Sequence, residues 1–77
     1  MAQIISYYNV SAGQGRRIRA RLIDDQWTDV KICDTHNRVL ERNLTPAQLA
    51  EAIRALDTAK ANGKKPSLTY IKAGPNG

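Results

Sequence analysis

The sequence predicts an α+β fold: an antiparallel β-meander of about four strands, one α-helix packed on one face, and a short C-terminal strand (ββββαβ). Three observations carry this reading. Residues 16–23 and 27–33 alternate apolar and polar side chains, the period of half-buried strands. Turn-forming clusters, AGQG at 12–15, DDQ at 24–26 and DTHN at 34–37, separate the runs. The stretch from Thr45 to Gly63 carries helix start and stop signals with an apolar stripe between them.

The elements follow in order. Residues 3–11, QIISYYNVS, are rich in β-branched and aromatic side chains and form the first strand. Gly13 and Gly15 supply positive φ for the next turn. Residues 16–23 and 27–33 are the second and third strands, and RVLER at 38–42 a shorter fourth, entered through a left-handed Asn37. Thr45 is the helix N-cap, Pro46 fits the first helical position, and Gln48 completes a capping box. Leu44 and Leu49 have the spacing of a hydrophobic staple. Leu49, Ile53 and Leu56, widened by Ala52 and Ala59, form the apolar stripe. Asn62 and Gly63 end the helix, Pro66 prevents its continuation, and SLTYIK at 67–72 is the last strand, returning beside the first. Residues 1–72 make one compact domain and 73–77 a flexible tail.

The chain has 77 residues, which bounds it to one small domain. It has no apolar run of the ~20 residues that a membrane span needs, and residues 1–15 lack the pattern of a secretory signal. One cysteine, Cys33, excludes an intramolecular disulfide. A cytoplasmic protein with no membrane contact is expected. Net charge is +5, which favours nucleic acid or an acidic protein as partner. Residues 1–35 hold five basic and four acidic side chains, residues 36–77 seven and three, so most of the excess lies in the second half.

Register decides which face the arginines of RRIRARLIDD occupy. A three-residue loop, Asp24 to Gln26, sets Leu22 opposite Thr28, Ala20 opposite Val30 and Ile18 opposite Ile32. The other face then pairs Arg21 with Asp29, Arg19 with Lys31 and Arg17 with Cys33. A one-residue slip would turn every side chain over. In the first hairpin, a GQG loop puts Ile4, Ser6, Tyr8 and Val10 on the helix side. It leaves Ile5, Tyr7 and Asn9 with the arginines. The helix-free face thus carries Tyr7, Asn9, Arg17, Arg19, Arg21, Asp29 and Lys31, with Trp27 and Ile23 at its lower end. Alternate strand residues are roughly 7 Å apart, so the arginines can span several phosphates. Tyr7 and Trp27 offer stacking surfaces. The alternative is an ordinary solvated sheet face with a cross-strand Arg21–Asp29 pair.

Candidate chemistry is thin. Cys33 and His36 sit across a turn, but a structural zinc site needs four ligands, and a Cys–His nucleophile pair has no group to orient the base. Asp24 and Asp25 are adjacent, point apart on a strand, and read as turn residues. No catalytic residue, metal ligand or cofactor is assigned. Lys60, Lys64 and Lys65 form the densest basic cluster, near the negative end of the helix dipole.

A small non-catalytic binding protein is therefore expected, a monomer or homodimer. Its binding residues are Tyr7, Asn9, Arg17, Arg19, Arg21, Trp27 and Lys31 on the sheet and Lys60, Lys64 and Lys65 at the helix end. Its partner is nucleic acid or a nucleic-acid-handling protein complex. In size and single-helix, sheet-rich form the chain is similar to small phage accessory proteins, including anti-CRISPR inhibitors. That likeness implies the second expectation: a mobile-element inhibitor docking on a host protein complex.

Overall fold

The computed structural model describes residues 3–72; the expected tail at 73–77 lies outside them. Five strands form one antiparallel sheet: β1 (Gln3–Gly13), β2 (Arg16–Ile23), β3 (Gln26–Cys33), β4 (Val39–Glu41) and β5 (Leu68–Lys72). Their spatial order is β4-β3-β2-β1-β5, so β5 does return beside β1. The one helix among the described residues, α1 (Pro46–Ala61), connects β4 to β5.

The β2–β3 hairpin departs from the expected register in an informative way. Far from the turn the expected pairs form: Arg17 with Cys33, Ile18 with Ile32, Arg19 with Lys31. Near the turn the pairs slip by one: Arg21 faces Thr28, Leu22 faces Trp27, Ile23 faces Gln26. The connection is therefore a two-residue turn, Asp24–Asp25, with φ of 52° and 62°. Positive φ at both central positions is what a type I′ turn requires, and its twist matches the strands. A bulge absorbs the extra residue: Asp29 and Val30 together oppose Ala20, and Asp29 takes φ 52°. The β1–β2 hairpin repeats the device. Its pairs from Ser6–Leu22 to Ser11–Arg17 match the expected register, and a shift before Gly13 precedes a two-residue turn at Gln14–Gly15.

Trp27 is the residue this moves. The bulge turns it onto the helix side, opposite Leu22, and not to the lower end of the open face. There it meets Tyr8 edge-to-face at 5.0 Å between ring centroids, and its Nε1 donates to Asp57 Oδ1 of α1 at 2.7 Å.

The helix begins as expected. Gln48 N donates to Thr45 Oγ1 at 3.1 Å and Thr45 N to Gln48 Oε1 at 2.9 Å, the two bonds of the capping box. It ends on Gly63, φ 93°, with Gly63 N bonded to Lys60 O and Lys64 N to Ala59 O, a Schellman pattern. The stripe is rotated from the expected one. Ala52 and Leu56 are buried, Ile53 is half-buried, and Leu49 is exposed. The two alanines, Ala52 and Ala55, face the sheet and let the backbone approach it closely. The core is Tyr8, Ile18, Ala20, Ala52 and Leu56, extended by Val10, Leu22, Trp27, Val30, Ile32 and Leu44.

Asp25 holds a left-handed conformation that costs an L-residue about 1–2 kcal/mol and glycine nothing. Asp25→Gly is expected to raise stability by about 1 kcal/mol, read as a higher urea midpoint at unchanged m-value.

Candidate binding face of the sheet

The side of the sheet opposite the helix is built by strand parity. Tyr7 pairs with Arg21, Asn9 with Arg19 and Ser11 with Arg17; Arg19 pairs in turn with Lys31. Each pair shares one face, and it is not the face of Tyr8, Ala20 and Ile18, which meet the helix. The structure thus brings Tyr7, Asn9, Arg17, Arg19, Arg21 and Lys31 together, in keeping with the alternation. The three arginines and Lys31 are all half-buried, their stems lying along the sheet.

Asp29 is the electrostatic centre of this face. Its Oδ2 accepts from Lys31 Nζ at 2.6 Å and lies 3.9 Å from Arg21 Nε, while its Oδ1 lies 3.7 Å from Arg42 Nη1. The hydrogen bond from Lys31, with the charges of Lys31, Arg21 and Arg42, holds its carboxyl below the usual aspartate range. Arg42 is a member that sequence reasoning misses. It follows the three-residue β4, too short to show a period. Arg17 and Arg19 make no ion pair among the described residues. Arg21 Nε is buried with no hydrogen-bond partner among the described residues, since its approach to Asp29 is too long for one.

Tyr70 is the second such member. β5 pairs Tyr70 with Ile5 and Leu68 with Tyr7, which sets Tyr70 on the arginine face. Its ring stacks on Tyr7, with centroids 5.8 Å apart and planes at 25°, and the two hydroxyls are 3.2 Å apart. That hydrogen bond and nearby Arg21 lower the Tyr7 phenol's pKa; the same bond raises that of Tyr70. Parity within β5 identifies Tyr70 once β5 is placed against β1. Ile5 is buried on this face between its partners Ile23 and Tyr70.

Asn9 serves the fold. Its Nδ2 donates to Asn37 Oδ1 at 2.9 Å, tying the 34–38 loop to β1. In that loop Asp34 Oδ1 accepts from the backbone N–H of His36 and Arg38, and Asn37 takes the expected left-handed φ of 64°. Cys33 is fully buried and His36 exposed. No group of three or more potential metal ligands occurs among the described residues. Lys60, Lys64 and Lys65 are exposed, but they occupy the end of α1 and the segment leading to β5, and they do not join the arginines.

No family model, curated protein or solved structure matches this chain. No helix of the described residues is long and apolar enough to cross a membrane. A cleft of about 380 Å³ between α1 and the β1–β2 turn is lined by Ile18, Ile32, Arg16, Glu41 and Glu51 among others, so its charge is mixed.

The Asp29 pairs generate a signed pH dependence. A carboxyl depressed in the folded state stabilises fully above its unfolded value, about 3.9, and loses that contribution as pH falls through the folded value. The side chain is about a third open to water, so the contribution is expected to stay below about 1 kcal/mol. The stability of the parent relative to Asp29→Asn should be constant above about pH 5 and fall towards about pH 2. Urea unfolding of both proteins across that range measures it.

Proposed function

We propose that the helix-free sheet face binds single-stranded nucleic acid, without catalysis. The observation that supports this reading best is the pair Arg17 and Arg19, which share an open face with the stacked Tyr7 and Tyr70 and have no ion pair among the described residues. Cations at a spacing of roughly 7 Å suit a phosphate backbone, and the exposed Tyr70 with the half-buried Tyr7 suits unstacked bases. The face is a sheet surface with no projecting helix to enter a duplex groove, which favours a single strand. Lys60, Lys64 and Lys65 stand apart from this surface and would add general attraction.

One observation favours a second reading, docking on a protein complex as a mobile-element inhibitor would. Exposed apolar side chains flank the β5 edge on both faces of the sheet, Ile4 and Ile71 on the helix side and Leu68 on the other.

Fluorescence anisotropy with a labelled oligothymidylate of about 15 nucleotides tests the first reading. Binding is expected to weaken with salt, and Arg17→Ser with Arg19→Ser to reduce the log–log salt slope by about 0.7 for each phosphate left without its arginine. Affinity should fall at least about tenfold at low salt. Asp29→Asn should tighten binding by unmasking Lys31, Arg21 and Arg42. Trp27→Phe should leave it unchanged, because that ring faces the helix. Equal binding by the double serine variant would remove the proposal.

A further inference from the structure

We infer that the outer edge of β5 is a docking strand for an extended segment of another protein, one with alternating apolar residues and an acidic end. The inference is independent of nucleic-acid binding by the arginine face. β5 is the edge of the sheet beyond β1, and every one of its residues is exposed. Its outer N–H and C=O groups have no neighbouring strand among the described residues, which is a template for strand addition. The opposite edge, β4, is only three residues long and offers little.

The side chains of β5 provide apolar contacts on both faces. Ile71 is 68% exposed beside its partner Ile4 at 59%, on the helix side. Leu68 is 57% exposed on the other side, next to Tyr70. The reason is geometric. Five strands spaced about 4.8 Å apart make a sheet roughly 20 Å wide, and one helix of about 10 Å covers half of it. The helix lies over β1 to β3 and leaves the β5 side bare.

Charge selects the occupant. Lys60, Lys64 and Lys65 precede β5 and Lys72 ends it, and no acidic residue occurs after Asp57. A second copy pairing antiparallel about Tyr70 would set Lys72 opposite Leu68 of the other copy, close along the chain to its Lys64 and Lys65. Like charges brought together in this way oppose self-pairing. An incoming strand whose acidic end lies at Lys64 and Lys65 gains the complementary contact instead. Asp24 and Asp25 lie two strands away, towards the Lys72 end, with Asp24 engaged by Gln3. The acidic end therefore belongs at the Lys64–Lys65 side.

The probe is a synthetic fluorescent peptide of alternating Val and Thr carrying an Asp-Glu pair at one terminus, in both orientations. Saturable anisotropy below about 1 mM is expected for one orientation at least. Replacing its acids by amides should weaken binding about tenfold, and so should Lys64→Glu with Lys65→Glu in the protein. That charge-reversed protein should in turn prefer a peptide ending in Lys-Lys, which shows that it is folded. N-methylation of alternate peptide amides should abolish binding in one of the two phases, because only one row of amides faces β5. Ile71→Lys should weaken binding, whereas Arg17→Ser with Arg19→Ser should not. Three results would overturn the inference: no binding of either peptide, binding indifferent to both N-methyl phases and to Ile71→Lys, or a dimer of the parent protein on light scattering that Ile71→Lys dissociates.

Discussion

The register between β2 and β3 governs most of what this molecule presents to its surroundings. Two local demands compete there. The Asp24–Asp25 turn is two residues long, which alone would set Asp29 against Ala20 and Lys31 against Ile18 and bury both charges. The alternation of Ile18, Ala20 and Leu22 needs Ile32 and its neighbours on the same side. The bulge at Asp29 satisfies both, at the cost of one left-handed residue. It places Trp27 and Val30 against the helix and sends the Asp29 carboxylate among Lys31, Arg21 and Arg42. A core contact and the charge balance of the open face thus depend on the same backbone irregularity.

The helix contributes the second constraint. It is well capped at both ends, and Leu56 is fully buried beneath it. Yet it is one helix on a five-stranded sheet. Its small face, Ala52 and Ala55, brings it close to the centre of the sheet, where it covers Ile18, Ala20 and Tyr8. Its width leaves Ile4 and Ile71 in solvent on the same face. The other face has no covering layer among the described residues, so Ile5 is shielded only by its own strand neighbours and Tyr70. A fold of this size has two surfaces to spare, one basic and aromatic, the other apolar and flanked by lysine.

Electrostatics separates these surfaces. On the arginine face a carboxylate engages Lys31, Arg21 and Arg42, which holds long cations in place and leaves Arg17 and Arg19 without an ion pair among the described residues. Along β5 the lysines flank the strand, and none of its five residues is acidic. The first arrangement suits a linear polyanion with bases to stack, the second an acidic strand.

Period-2 alternation identified Ile18, Ala20 and Leu22 as the core side of β2 and put three arginines on the other, because side-chain direction follows directly from strand parity. Thr45, Pro46, Gln48 and Gly63 marked the helix ends, because capping is satisfied within a few residues of chain. Both kinds of information are local. The rotated helix stripe, the inward turn of Trp27, and the arrival of Tyr70 and Arg42 beside Arg21 and Asp29 were not legible in this way. A bulge leaves no periodic trace in eight residues, and a neighbour from β5 or from the end of β4 depends on which strands lie side by side. The sequence by itself determined the strands, the helix and the face of each arginine on β2. Only the tertiary structure decided which of those arginines are neutralised, what stacks beside them and which edge stays open, because each depends on contacts between residues far apart in the chain.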